Sequence, residues 1–390
     1  MSHIGNVKLQ QMKTYNLFYA SMALLVLIGC SKTDSGTLGE NQEEEKSVQA
    51  DYTLIVNSKG SLTGTLFSVD DEALTINPEK SKFASMSLPD LSFEENSVLT
   101  TYHKKSNCSG ELTIHDFNED SSEAYGVFSD LGACNLTAKS ILRKGNKLYI
   151  AYELHISPTV DEFYVRMLDI STSEPIVVDV EMDKRPIELA YANNRIFVLG
   201  IDEDVTDENT ISVIDANANA IVHSKLVGFD VRRIFTNPEN NVIISYDELH
   251  STMNSVTMAI SYTNYGVGKE PNFTQSSSLH FDTIGKMYYE MTPTTYSVFP
   301  VIPAIYDFGK NLTVLYAYEN FMTEAQLNFE FEVEKTTMVS YDEENNVLLI
   351  GYKKTSGENK GGLLLIKPAP EPKFLNSIDV AGVPTSIFIN

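Results

Sequence analysis

Tryptophan is absent from the 390 residues, cysteine occurs three times, and basic side chains are scarce, with 29 Lys and Arg against 53 Asp and Glu. Without tryptophan, the large side chains available to a core are 20 Tyr and 19 Phe. A formal charge of −24 repels phosphate backbones and anionic headgroups, which excludes nucleic acid and acidic lipid surfaces as partners. Acidity favours solubility and carries no information about fold. The local signatures of several catalytic folds are missing too: there is no HExxH pair, no G-x-S-x-G turn, no Walker loop and no dinucleotide fingerprint. These absences exclude sites written in one contiguous stretch. They do not reach a site assembled from single residues on separate strands. No cofactor and no metal site is expected.

A helix needs about 20 predominantly apolar residues to cross a bilayer. The run from Leu17 to Ile28 is shorter, and it follows Lys8 and Lys13 with no acidic residue before it. Charge followed by a short apolar run marks residues 1–29 as a secretory signal peptide. Met12 followed by Lys13 would also serve as a start, leaving 1–11 as an overhang. Leu27-Ile28-Gly29-Cys30 resembles a lipobox. That resemblance implies cleavage before Cys30 and a membrane anchor through its lipidated thiol. The alternative is an ordinary signal peptide that ends at a chance cysteine. Two or more acyl chains anchor stably where one does not. Residues 30–50 are polar and acidic, with Glu40, Glu43, Glu44 and Glu45, and read as a flexible tether. Without residues 1–29 and their two lysines the net charge becomes −26. Acidic residues soon after a lipidated cysteine resemble a signal for display on the outer face of the outer membrane. Retention facing the periplasm stays open.

From Asp51 to the end no helix-period segment stands out. Short β-branched and aromatic runs alternate with Asn, Gly, Asp and Ser, as in Lys147 to Tyr152, Arg195 to Leu199, Asn241 to Tyr246 and Val347 to Tyr352. One unit recurs: a strand, a tight polar turn ending in Asn, and a second apolar strand. The turns end at Asn96, Asn146, Asn194, Asn241 and Asn346, with Met291-Thr292-Pro293-Thr294 expected to be a divergent sixth. A period of about 50 residues with four strands is that of a propeller blade. The last residues, Pro384 to Asn390, read as an inner strand without a partner, and Asp51 to Val56 and Leu62 to Val69 read as outer strands without an inner one. Pairing them removes two open sheet edges. The expected fold is therefore all-β, a seven-bladed propeller over residues 51–390 closed between its C-terminal strand and its first strands. A pair of β-sandwiches is the alternative.

Thr210-Ile211-Ser212-Val213-Ile214-Asp215, followed by Asn217, Asn219, Ile221 and Val222, resembles the YVTN-type repeat of surface-protein propellers, in one blade well and in the others loosely. Together with the lipobox and acidic tether, the arrangement is similar to the propeller lipoproteins that accompany TonB-dependent outer-membrane transporters. The resemblance implies a membrane-anchored binding lipoprotein that captures a small ligand, such as a ferric siderophore, or docks on such a transporter. It brings no residue-specific motif. The alternative function is a propeller hydrolase or lyase acting on an extracellular sugar or lactone.

Export makes a disulfide between Cys108 and Cys134 permissible, against two separate buried thiols. At or near the end of the second strand of several blades stand Tyr102, Tyr152, Tyr246 and Tyr352, three of them soon followed by His103, His155 and His250. On one face of a ring these phenols and imidazoles would stack on and hydrogen-bond a planar ligand. The plainer reading is repeated packing between blades. The acidic run Asp202 to Glu208 offers oxygens to calcium or is a solvated loop, and Lys353, Lys354 and Lys360 form a basic island or an ordinary hairpin.

Overall fold

The computed structural model describes residues 48–390 apart from 72, 78–80, 82, 107, 133, 173, 203–205, 274–275, 277, 295–296 and 369–370. The signal peptide, Cys30 and the tether up to residue 47 lie outside the described residues. Among the described residues, no helix is long and apolar enough to cross a membrane.

The chain forms a seven-bladed β-propeller of antiparallel sheets. It opens with the outer strands of the closing blade: β1 (Gln49–Ser58), β2 (Ser61–Asp70), β3 (Ala73–Ile76) and the two-residue β4 (Met86–Ser87), which pairs with β2. Blade 1 follows as β5 (Leu91–Glu95), β6 (Val98–Lys104), β7 (Gly110–Asp116) and β8 (Ser121–Val127). Blade 2 is β9 (Leu136–Lys144), β10 (Lys147–Ser157), β11 (Val160–Asp169) and β12 (Ile176–Met182). Blade 3 is β13 (Arg185–Ala192), β14 (Arg195–Asp202), β15 (Glu208–Asp215) and β16 (Ala220–Gly228). Blade 4 is β17 (Arg233–Thr236), β18 (Asn241–Ser245), β19 (Leu249–Asn254) and β20 (Ile260–Asn264). Blade 5 is β21 (Leu279–Phe281), β22 (Lys286–Met291), β23 (Ile302–Asp307) and β24 (Leu312–Leu315). Blade 6 is β25 (Val333–Asp342), β26 (Val347–Lys354), β27 (Gly361–Lys367) and β28 (Lys373–Val380). The last strand, β29 (Val383–Ile389), returns beside β1, pairing Tyr52 with Ile389 and Asn57 with Val383, and closes the ring. The first strand starts at Gln49 and Val48 is already buried, so the body takes in three residues, 48–50, that the sequence reading left in the tether.

Turn chemistry explains the register. The tight links Asn96-Ser97, Gly145-Asn146 and Asn193-Asn194 each join a first to a second strand, with positive φ at Asn96 (52°), Gly145 (57°), Asn193 (50°) and Asn194 (57°). Asn and Gly tolerate that conformation, and the twist it imposes matches a hairpin. In blade 5 the corresponding link is Asp282 to Gly285, not Met291 to Thr294, which opens the loop after the second strand. Asp282 Oδ1 holds the N–H groups of Ile284 (3.1 Å) and Lys286 (2.8 Å) there. The expected midpoint is displaced because residues 316–332 are inserted between blades 5 and 6.

A second repeated mark ends the third strand of five blades. Asp116, Asp169, Asp215, Asn254 and Asp307 each accept backbone N–H groups of the turn that follows. Asp215 Oδ1, for example, binds Asn217 N and Ala218 N, both at 2.9 Å. These caps satisfy donors that the ladder leaves free.

The core is divided among the blade interfaces. Tyr102, Leu112, Ile150 and Tyr152 join blades 1 and 2, and Leu142, Tyr149, Val165 and Ile196 join blades 2 and 3. Phe117 stacks on Phe388 at 4.0 Å and Tyr288 on Tyr341 at 4.3 Å, across the interfaces of blades 7 with 1 and 5 with 6. Aromatic rings do here what tryptophan does elsewhere: they cover large facing sheets with few side chains.

Candidate functional site

Each blade of a propeller presents two sets of connections, and in this chain the long ones lie on one face. That face carries the links from second to third strand and from one blade to the next. The disulfide between Cys108 and Cys134, with Cα atoms 4.3 Å apart, ties two of these connections, one within blade 1 and one leading to blade 2.

The tyrosines singled out in the sequence stand on or next to second strands. Tyr102, Tyr152 and Tyr352 are buried, and Tyr246 is partly so. Tyr102 and Tyr152 both pack on Phe128, at 6.2 and 4.9 Å, with Tyr152 also stacked on Tyr164. Tyr352 lies over Gly362 and Tyr102 over Gly110, where an added Cβ would come within 2.2 and 2.4 Å of the rings. The third-strand glycines are thus the space the phenols occupy. Burial pushes the Tyr102 hydroxyl up to about 12. Tyr246 Oη donates to Val227 O at 2.7 Å.

The histidines are held separately. His103 Nε2 meets Ser87 O at 3.0 Å, and His155 lies 2.6 Å from Asp161 and 3.5 Å from Glu153. His250 is buried among Tyr265, Tyr306, Phe273 and Phe308, with Nδ1 3.0 Å from Tyr265 Oη. Burial lowers its pKa to about 4, so it is neutral near pH 7. Apart from the shared Phe128 contact, the seven residues are distributed over four blades, with separate partners. The sequence showed their position along each strand, but not that position's depth between blades.

Lys353 pairs with Glu334 at 2.9 Å and the buried Lys354 with Asp379 at 2.6 Å, so two of the three basic-island lysines have carboxylate partners. Residues 203–205 of the acidic run lie outside the described residues. Among the described residues no group of three or more His, Cys, Asp or Glu is placed to hold a metal ion.

Around the axis, inner strands are laced to one another by side chains. Ser140 Oγ accepts Leu189 N at 3.2 Å, Glu188 Oε2 accepts Ile234 N at 2.6 Å and Ser278 Oγ accepts Val339 N at 3.2 Å. At the closing seam Ser386 Oγ donates to Glu94. Burial, opposed by that bond and helped by the negative charge of Glu290, pushes Glu94 up to about 7.

The feature that sequence patterns missed is a sector of the loop face in blades 4 to 6. Loops 265–278, 292–301 and 316–332 interlock there. Asn272 Nδ2 donates to Thr292 O at 3.1 Å, and Glu319 accepts Val298 N at 2.8 Å and Ser297 Oγ at 3.0 Å. Phe299 packs edge-on against Tyr318 at 5.1 Å, and Tyr318 Oη bonds Thr336 Oγ1 at 2.6 Å. Val267, Val298 and Phe329, one on each of these loops, are 100, 86 and 83% exposed, more than any other large hydrophobic side chain among the described residues. Loop length was the available sequence signal, since the stretches between apolar runs lengthen here, as they do between β3 and β5.

These features define the class of molecule as a seven-bladed propeller with one elaborated face. No protein-family model matches the chain and no curated protein matches it in sequence. Among solved structures, a Bacteroides fragilis protein given provisionally as a 6-phosphogluconolactonase is similar over 92% of this chain and all of its own, at 11% identity and a TM-score of 0.50. A puromycin hydrolase variant in complex with PGG is similar over 88% of this chain, at 8% identity and a TM-score of 0.51, and this chain spans 55% of its length. At such identities the likeness is one of fold.

Proposed function

We propose that the chain is an extracytoplasmic, lipid-anchored docking module, held at the outer membrane through Cys30 and working through the loop sector of blades 4 to 6. The observation that carries this reading is the exposure of Val298 and Phe329 on two loops joined through Glu319. Large apolar side chains left this exposed cost solubility and mark a surface that is covered by a partner. Single exposed hydrophobics scattered elsewhere on the body need no such account. β1 begins at Gln49 on the face opposite these loops. A TonB-dependent transporter is the partner class that the sequence resemblance suggests.

The test is the double variant Val298→Asp, Phe329→Asp in the full chain. Its unfolding free energy should stay within roughly 0.5 kcal/mol of the parent, as for surface substitutions, while recovery of an outer-membrane partner drops at least tenfold. Equal recovery would remove the docking reading. An unacylated Cys30 in the mass spectrum of the mature protein would remove the anchor.

A further inference from the structure

We propose that residues 128–132 plug a binding site for an aromatic carboxylate on the loop face between blades 1 and 2, and that reduction of the disulfide between Cys108 and Cys134 releases the plug. The link from β8 to β9 opens at Phe128, whose side chain is buried and whose ring lies 6.2 Å from that of Tyr102 and 4.9 Å from that of Tyr152. The Arg166 guanidinium stands 4.9 Å above the same ring. Two residues on, both carboxylate oxygens of Asp130 accept from Arg166, at 2.7 and 2.8 Å. A ring beside two tyrosines and a carboxylate forked onto a guanidinium are the two halves of an aromatic carboxylate, supplied here by the chain itself. Asp179 holds Nε and Nη2 of the guanidinium at 2.9 and 2.7 Å, so Arg166 keeps a fixed partner when Asp130 leaves.

Phe128 has φ 66°, a left-handed conformation that a bulky side chain adopts only where its surroundings impose it. Ser129, Asp130 and Gly132 are exposed, and the link is tied covalently at Cys134, itself exposed, to Cys108 in the connection between β6 and β7. A dithiol reaches that tie from solvent. Its thiolate attacks one sulfur, its second thiol displaces the mixed disulfide, and the dithiol closes to a cyclic disulfide. Two electrons and two protons pass to Cys108 and Cys134, which become thiols. The Phe128 wedge and the Asp130 pair then hold the segment against its strained backbone, and the Asp130 side chain is 58% exposed, where an ion pair is weak.

Hydrogen exchange and benzoate binding on the full chain, oxidised and after treatment with dithiothreitol, give the test, with Cys108→Ser, Cys134→Ser as the form that lacks the tie. Exchange over 128–132 should quicken about tenfold or more on reduction and in that variant, while the strands of blades 3 to 6 keep their protection. A site that is open only part of the time loses affinity in that proportion, so benzoate should bind the reduced protein about tenfold more tightly than the oxidised one. Benzamide, which lacks the charge, should bind neither. Phe128→Ala with Asp130→Ala, kept oxidised, should bind benzoate without reduction, which tests the site apart from the switch. Unchanged exchange over 128–132, or protection lost over the whole ring, overturns the switch. Failure of the oxidised Phe128→Ala, Asp130→Ala protein to take up benzoate overturns the site.

Discussion

Glu94 illustrates how a single side chain takes its chemistry from its surroundings. It sits where blade 1 meets the closing strand, and burial raises its pKa from 4.5 to about 7. The folded state keeps that proton between pH 4.5 and 7 while the unfolded chain has lost it. Glu94 therefore favours folding below pH 4.5 relative to neutral pH, and that contribution is lost as pH rises to 7. At about 1.4 kcal/mol per unit the span is roughly 3 kcal/mol. His250 and His280 run the other way. Burial lowers each from 6.5 to about 4, so the unfolded chain takes up protons first and stability is lost as pH falls through that window. Glu94→Gln should consequently be more stable than the parent at pH 8, with the difference vanishing at pH 4. Urea titrations at both pH values check this, and equal stability of the two proteins at pH 8 would show Glu94 to be solvated.

At the scale of elements, strands are held to loops by a few buried polar hubs. Arg166 on β11 is 1% exposed and forms paired hydrogen bonds to two carboxylates, Asp130 at 2.7 and 2.8 Å and Asp179 at 2.9 and 2.7 Å. Its guanidinium also lies 4.9 Å above Phe128. It thereby fastens the connection between blades 1 and 2 to the outer half of blade 2. Removing the buried arginine takes away four charge-assisted hydrogen bonds and the packing of its side chain on Phe128, at a cost of about 3 kcal/mol or more. Arg166→Ala should lower the unfolding free energy by that amount. Asp130→Ala, at the exposed end of the group, should cost about 1 kcal/mol or less. Equal losses for the two variants in chemical denaturation would contradict this division. The glycines under Tyr102 and Tyr352 show the same dependence between elements, since a ring on one strand is accommodated only by an absent side chain on the next.

For the whole molecule the decisive element is β29. It supplies the inner strand of the closing blade, buries Ile387 and Phe388 and brings Ser386 to Glu94. Deletion of residues 383–390 strips the ladder from β1 and removes two large hydrophobics whose burial contributes about 1.5–3 kcal/mol each. The truncated chain should lose its single cooperative melting transition and elute as aggregates. A sharp transition and a monomeric elution volume would show that the ring does not depend on closure.

Much of this architecture was already legible in the chain, because it is encoded between neighbours. Alternating runs specify strands, Asn and Gly at positive φ specify the hairpins, and the repeat of about 50 residues specifies blades. The unpaired final strand likewise told how the ring closes. The misplaced turn in blade 5 marks where that reading stops, because an insertion shifts the period and only pairing reveals the true link. Tyr102, Tyr152 and Tyr352 mark the same boundary. Their positions on the second strands follow from local pattern, but whether a ring faces solvent or the neighbouring blade depends on residues far away, such as Phe128 and Gly362. The raised sector of blades 4 to 6 is set by contacts between loops distant in sequence, Asn272 with Thr292 and Val298 with Glu319. The sequence by itself determined the strands, the blade repeat and the closure, all products of local pairing and turn chemistry. Tertiary packing decided which aromatic rings became core and which apolar side chains stand free on the surface.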